Sequence, residues 1–148
     1  MLKKTNGGFL VSQIKQIQGR VFEKLLNDAN INEFNGAQGR ILYVLWQADS
    51  VPIIELSKKT GLAKTTLTAM LDRMEEAGLI NRNYDKADRR QIRITLTKKA
   101  RELSNKYDDV SGKMSEIFYK GFSDSEIEQF ENYLLRIINN LNESGRSL

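Results

Sequence analysis

The feature that most constrains the fold of this chain is a change of apolar spacing in its middle. Between Ile53 and Gly78 apolar residues recur every three to four positions, with Gly61 interrupting them. From Ile92 to Leu96 apolar and polar residues alternate strictly. The first spacing predicts amphipathic helices and the second a half-buried strand. The segment therefore predicts a helix, a glycine turn, a second helix and a strand, in that order.

A hairpin with a charged turn is predicted after the second helix. The run Ile80–Tyr84 is the expected partner of the alternating strand, and polar residues 85–90 lie between the two. Two helices joined by a short glycine turn and followed by such a hairpin form the pattern of a winged helix-turn-helix. The sequence thus predicts a DNA-binding lobe over residues 35–97 with a two-stranded wing.

Helices are predicted on both sides of this lobe, over residues 9–30 and 98–142, because their apolar residues have helical spacing. Asn35 with Gln38, and Ser123 with Glu126, have the spacing of capping boxes, and Thr97 is the expected cap of a long helix that continues through Phe118. The expected fold class is mostly α, as a single domain over residues 1–148.

The flanking helices carry more apolar surface than one small core can absorb, so we expect them to form a dimerisation region with a second copy of the chain. The alternative is a monomer with a larger helical core.

Composition excludes several function classes. The chain contains no Cys and no His, which excludes disulfides, thiol or histidine catalysis and Cys/His zinc sites. No acid pair, phosphate loop or nucleophile–base set has useful spacing, so we expect no enzyme, no cofactor and no metal. No apolar stretch is long enough for a signal peptide or a membrane span, so a cytoplasmic protein without membrane partners is expected.

Positive charge is concentrated in the middle of the chain. Residues 57–101 contain 12 Lys or Arg and 5 Asp or Glu, whereas the remainder is slightly acidic. A basic segment on neutral or acidic scaffolding favours a polyanionic partner. Double-stranded DNA is the expected one; a solvated charged surface is the alternative.

The second helix of the pattern is predicted to enter the major groove. If its apolar stripe, which includes Leu67 and Leu71, is buried, Lys64, Thr68 and Asp72 lie on the opposite face. Threonine hydroxyls and methyls suit base edges or phosphates. The alternative is an ordinary solvated face. The candidate DNA contacts from this helix are Lys64, Thr65, Thr66, Thr68 and Arg73.

Two motifs resemble the MarR (multiple antibiotic resistance regulator) family: Met74–Ile80, and Asp88-Arg89-Arg90 ahead of Ile94–Thr97. The resemblance covers nearly the whole chain. It implies a homodimeric, sequence-specific transcription regulator, more often a repressor, that binds a palindromic operator. It also implies that Arg90 enters the minor groove and that Asp88 holds Arg90 in place. One departure is Ala63, because family members often have a capping Ser or Thr there.

The remaining binding candidates lie in the wing and in the flanking helices. Phosphate contacts are expected from Arg82, Lys86, Arg89 and Arg93, which would make binding depend steeply on salt. The resemblance further implies a small aromatic or phenolic effector between the dimer helices and the DNA-binding lobe. Arg20, Tyr43 and Trp46 are the candidate effector ligands, with Tyr43 and Trp46 as core residues being the alternative.

Two other functions stay open. A non-specific or architectural nucleic-acid-binding protein would use the same winged fold, and the ratio of specific to non-specific affinity would distinguish it. A protein-interaction module that has lost DNA binding is the other. The presence of Asp88, Arg90 and the basic hairpin argues against it.

Overall fold

The computed structural model describes residues 3–48 and 50–147. The chain falls into two compact units, Met1–Met114 and Ser115–Leu148, which are treated separately below. In chain order the elements are α1 (Gly7–Asp28), α2 (Gly36–Gln47), β1 (Ser50–Pro52), α3 (Ile53–Thr60), α4 (Lys64–Glu76), β2 (Ile80–Tyr84), β3 (Ile92–Leu96), α5 (Lys98–Arg101), α6 (Ser104–Phe118) and α7 (Asp124–Ser147).

The winged helix-turn-helix pattern is confirmed. Helix α3 ends at Thr60 and is capped by Gly61, whose positive φ of 74° is the left-handed conformation that glycine adopts most easily. Strands β2 and β3 have the predicted bounds and pair antiparallel, with Arg82 opposite Ile94. The wing, meaning β2, β3 and the connecting residues 85–91, therefore follows α4 directly.

The two-stranded wing is confirmed, and the sheet that contains it has a third strand that was not predicted. Residues Ser50–Pro52 form β1, which pairs antiparallel with β3 and places Val51 opposite Ile94. The sheet order is β1-β3-β2, so β1 lies at an edge. A proline is tolerated in an edge strand because its missing N–H is not needed there. Pro52 is thus both the last residue of this strand and the N-cap of α3.

The core of the first unit lies between the helices and the sheet. Its fully buried side chains come mainly from α2, α3, α4 and the three strands of the sheet. Burial of this kind is the main favourable term in folding. The buried apolar residues are Leu26, Ile31, Phe34, Ile41, Leu42, Leu45, Val51, Leu56, Leu67, Leu71, Met74, Leu79, Ile80, Ile94, Leu96, Ala100, Leu103, Tyr107 and Val110.

Two predicted helix caps are present in the first unit. The Asn35 side chain accepts the Gln38 N–H at 2.8 Å, and the Gln38 side chain accepts the Asn35 N–H at 3.0 Å. The hydroxyl of Thr97 accepts the Ala100 N–H at 3.2 Å. The helix after Thr97 is interrupted, however. It ends at Arg101, and α6 begins only at Ser104.

The second unit contains the end of α6 and helix α7. Ser123 and Glu126 form the predicted capping box at the start of α7. The Tyr119 hydroxyl donates to the Glu131 carboxylate at 2.7 Å. Partial burial and this hydrogen bond raise the pKa of Tyr119 to about 12.

Apolar side chains are exposed in the helices of both units. On α1 only Leu26 is buried, whereas Phe9, Leu10 and Ile14 are at least 41% exposed. Among the described residues of the chain, no helix combines the length and apolar character needed to cross a membrane.

Candidate nucleic-acid interface

Helix α4 is held by a short, hydrogen-bonded turn from α3. The Ser57 hydroxyl donates to the Leu62 carbonyl at 2.7 Å, which closes the turn around Gly61. Leu67, Leu71 and Met74 of α4 are then fully buried. These contacts fix which face of α4 remains at the surface.

The exposed face of α4 begins with three polar residues. Lys64, Thr65 and Thr66 are exposed in the first turn. Thr68, one turn further, is half-buried, and its hydroxyl donates to the Lys64 carbonyl at 2.8 Å. Arg73 is exposed near the opposite end of the helix. Ala63 is the N-cap and supplies no side-chain hydrogen bond, so the first-turn N–H groups have no cap from that residue.

At the wing tip the Asp88 carboxylate holds the Arg90 guanidinium through two hydrogen bonds. Arg90 Nε lies 3.0 Å from Asp88 Oδ1, and Arg90 Nη2 lies 3.2 Å from Oδ2. The same carboxylate accepts the Arg90 backbone N–H at 3.1 Å. These hydrogen bonds lower the pKa of Asp88. The Arg90 side chain is nevertheless 90% exposed, so a planar cation is oriented yet open to a ligand.

Arg82 joins the wing to α4. Its guanidinium lies 2.6 Å from an Asp72 carboxylate oxygen and 2.9 Å from a Glu75 oxygen. Glu75 also accepts the Arg82 backbone N–H at 3.1 Å, and these hydrogen bonds lower the pKa of Glu75. The structure thus places Arg82, a predicted phosphate contact, in ion pairs within the chain. Asp72, on the predicted DNA-facing side of α4, is one of its partners.

Arg93 is also paired within the chain, because its Nε lies 2.6 Å from the Asp85 carboxylate. Lys86 and Arg89 are exposed, and they line a hollow of about 510 Å³ with Tyr84 and Asp85. Tyr84 was not predicted as a site residue, although it is 71% exposed. An aromatic residue at the end of a strand beside a basic turn was the available signal.

A cleft of about 170 Å³ brings residues from α4 and the wing together. Lys64 and Thr68 line it from α4, and Arg82 and Arg90 line it from the wing. The sequence singled out all four. Other lining residues, including Ile54 and Gln91, were missed because nothing in their local pattern distinguishes them from surface residues. The cleft therefore offers cationic and hydroxyl groups from two separate elements to one ligand.

Comparison with known proteins identifies the domain that contains this cleft. Residues 34–92 match the MarR family model. This range includes α2, β1, α3, α4, β2 and the first residue of β3. This segment is similar to MarR-family domains. MarR-family proteins of known function are transcription regulators and not enzymes.

One curated relative and three solved structures describe the similarity. The chain is 36% identical over 90 residues to the HTH-type transcriptional regulator TtmR of Methylorubrum extorquens (strain PA1). That alignment covers 61% of this chain and 45% of TtmR, so less than half of the relative is matched.

The structures share the fold over most of the chain. A MarR transcriptional regulator from Methanosarcina mazei Go1 has a TM-score of 0.79 at 21% identity, covering 95% of this chain and 99% of that one. A mutant MarR from E. coli complexed with operator DNA has a TM-score of 0.76 at 22% identity, and the match covers 88% of this chain and 91% of that one. NadR in complex with 4-hydroxyphenylacetate has a TM-score of 0.77 at 20% identity, and the match covers 93% of this chain and 96% of that one.

The effector residues implied by the MarR resemblance lie in two places. Arg20 lines a groove of about 610 Å³ between α1 and the first turn of α2, together with Phe22 and Arg40. Tyr43 and Trp46 do not line that groove. They lie further along α2, with ring centroids 6.1 and 5.0 Å from the Tyr107 ring.

Trp46 and Tyr43 differ in burial. The Trp46 indole N–H donates to the Ala100 carbonyl at 2.9 Å, and its ring packs edge-on to Phe34, as a core residue would. Tyr43 is 50% exposed, so its ring is open on one side. Among the described residues, no cluster of three or more acidic side chains is arranged to hold a metal ion.

Proposed function

We propose that this chain is a sequence-specific DNA-binding transcription regulator. The observation that carries the proposal is the cleft between α4 and the wing, where Lys64, Thr68 and Arg90 meet. A helix N-terminus and Lys and Thr side chains suit phosphates and base edges in the major groove. The operator DNA in the similar E. coli MarR complex supports the same use of this fold.

The wing supplies the second contact. Arg90 is directed outward and held by Asp88, and an arginine in this state suits the negative potential of a narrow minor groove. An ion pair this exposed contributes little to stability. Its function is therefore orientation of the guanidinium, and Lys86 and Arg89 at the same tip add phosphate contacts.

The regulator acts as a homodimer on a palindromic operator. The support is apolar surface left uncovered on the terminal helices, such as Phe9 on α1 at 72% exposed and Leu141 on α7 at 66% exposed. A second copy of the same chain covers such faces symmetrically, and a two-fold dimer reads two half-sites. Repression is the proposed direction of regulation.

A small aromatic carboxylate is the proposed effector. The groove between α1 and α2 offers two guanidinium groups, Arg20 and Arg40, beside the ring of Phe22. This combination matches a carboxylate attached to an aromatic ring. The 4-hydroxyphenylacetate bound to NadR is a ligand of this class.

DNA binding is tested by fluorescence anisotropy with labelled duplex from the upstream region of the gene and a scrambled duplex. We expect tight binding to the upstream duplex alone, with an affinity that falls steeply between two salt concentrations. Arg90→Ala should weaken binding by about tenfold. Lys120→Ala, which removes one exposed positive charge in the turn between α6 and α7, is the matched control.

Each outcome separates the alternatives. Equal affinity for both duplexes would favour the architectural protein, and absence of binding to either at low salt would overturn the proposal. An unchanged affinity of Arg90→Ala would refute the role of the wing. A single species with the mass of one chain in sedimentation, over the concentration range of the titration, would refute the dimer.

The effector is tested through Trp46, the only tryptophan of the chain. Titration with 4-hydroxyphenylacetate should change the Trp46 fluorescence and reverse DNA binding. Arg20→Ala and Arg40→Ala should each remove the response. The corresponding alcohol, 4-hydroxyphenylethanol, lacks the carboxylate and serves as the control ligand. An equal response to acid and alcohol would exclude guanidinium recognition.

A further inference from the structure

We propose that Asp85 and Arg93 are positioning residues that fix the direction in which Arg90 leaves the wing. The inference rests on the proposed DNA binding for its consequence, but the contacts that carry it lie within the chain. It assigns Arg93 a different role from the phosphate contact that the sequence predicts.

Asp85 is the most enclosed acidic group in the ion pairs of the wing, with a side chain only 12% exposed. Its Oδ1 accepts the Ala87 N–H at 2.7 Å and the Asp88 N–H at 3.2 Å. Its Oδ2 accepts Arg93 Nε at 2.6 Å. These hydrogen bonds lower the pKa of Asp85 and keep the carboxylate charged. One side chain therefore binds the turn from inside.

Arg93 connects that carboxylate to the far edge of the sheet. Its Nη1 lies 3.4 Å from both the carbonyl and the hydroxyl of Ser50 in β1. The Arg93 side chain is 37% exposed, compared with 90% for Arg90. A guanidinium occupied on two sides by its own chain has few donors left for a phosphate. Arg93 is thus built into the wing, whereas Arg90 projects from it.

The contacts form a continuous series from the sheet to the tip. Ser50 contacts Arg93, Arg93 binds Asp85, and Asp85 holds the backbone of Asp88. Asp88 in turn binds the Arg90 guanidinium. Loss of Asp85 releases the Asp88 backbone, and loss of Arg93 removes the group that anchors Asp85 to the sheet. In either variant Arg90 keeps its charge but loses its fixed direction. A misdirected guanidinium binds more weakly, because its planar N–H groups must be aligned with the acceptors of the ligand.

A double-mutant cycle on DNA affinity separates positioning from direct contact. We expect Arg93→Ala to raise Kd by about fivefold in the otherwise unchanged protein. In the Arg90→Ala background the same change should alter Kd by less than about twofold. It should also leave the slope of log K against log salt unchanged there. Equal losses in both backgrounds, with the slope reduced by about 0.9, would show that Arg93 neutralises a phosphate and would overturn the inference.

A second readout needs no DNA. Trypsin cleaves after Arg89, and it does so faster when the turn is less ordered. Asp85→Asn changes no Lys or Arg, so the same peptide bonds are cleavable in this variant and in wild type. Mass spectrometry of limited digests therefore measures the order of the turn. We expect faster cleavage of the Arg89–Arg90 bond in Asp85→Asn than in wild type, with an unchanged melting temperature. Trypsin should cleave the Arg89–Arg90 bond more slowly in Arg93→Lys, in which the lysine can still bind Asp85, than in Arg93→Ala. Wild-type cleavage rates in all variants would refute the inference, whereas failure of wild type to bind DNA would refute only the proposed function.

Discussion

The middle of the chain and its terminal helices use apolar residues in opposite ways. In the described residues, every buried apolar side chain lies between Leu26 and Val110. Helix α7 has 24 residues and a clear apolar stripe, yet none of its described side chains is buried. The best covered residues of α7, which include Phe130 and Leu134, are only half-buried.

This difference separates two sources of stability. The winged region contains its own core, so its fold is set by contacts within one chain. The terminal helices instead present apolar faces that contribute only when another surface removes them from water. Substitutions in the middle should therefore lower the stability of the single chain, whereas substitutions at the ends should change association.

The largest effect is expected from Leu42→Ala. Leu42 on α2 is fully buried, and a truncated leucine loses its transfer free energy and leaves a cavity. The free energy of unfolding should fall by about 2–5 kcal/mol, measured by urea denaturation at one protein concentration. Leu42→Met, which conserves volume, should cost less than about 1.5 kcal/mol. If Leu42→Ala lowered the free energy of unfolding as little as Leu42→Met, the side chain of Leu42 would not be tightly packed in the core.

Gly39→Ala tests the same core by overfilling it. A Cβ at Gly39 would lie 3.0 Å from a Tyr107 ring carbon and 3.3 Å from a Phe34 ring carbon. We expect a loss of about 1–3 kcal/mol, partly offset by the better helix propensity of alanine. Gly112→Ala on α6 is the matched control, because a Cβ there meets no atom within 4 Å. The control should gain about 0.4–1 kcal/mol, and equal effects at both glycines would contradict the packing argument.

Much of the winged region could be predicted because its signals are local. The bounds of β2 and β3 follow from alternation, and Gly61 and the Asn35 capping box mark helix ends by their own chemistry. Strand β1 was missed because three residues ending in Pro52 are too short to show a period. The break between α5 and α6 was missed because residues on both sides continue the apolar spacing of one helix.

The partners of charged side chains could not be predicted in the same way. Arg82, Arg90 and Arg93 look equivalent in the sequence, as basic residues of one hairpin. Only the fold brings Asp72 to Arg82 and Ser50 to Arg93, because these partners lie on other elements. The pair of Asp88 with Arg90 was implied by the MarR resemblance, and its two residues lie close together in the same turn.

Ala63→Ser sharpens the comparison within the middle region, with a smaller effect. Ala63 is the N-cap of α4 in an extended conformation and provides no side-chain hydrogen bond. A serine hydroxyl there can accept a first-turn N–H, so the free energy of unfolding should rise by about 1 kcal/mol. Ala63→Val should not raise it and is the control in the urea titration, because valine is as poor an N-cap as alanine. An unchanged stability with serine would indicate that another group already satisfies the first turn.

Leu141→Ser should have the smallest effect on the fold of the single chain and the clearest effect on association. The Leu141 side chain is 66% exposed, so its replacement should change the stability of an isolated chain by less than about 0.5 kcal/mol. In a two-fold dimer the substitution occurs twice in one interface, so the dissociation constant should rise by about tenfold or more. Sedimentation velocity over a concentration series measures this constant, and circular dichroism checks the helices. Asn139→Ser, a polar change on the same helix, should leave both unchanged. If Leu141→Ser lowered stability without changing association, the exposed face of α7 would belong to the fold of one chain, and the contrast between the two regions would fail.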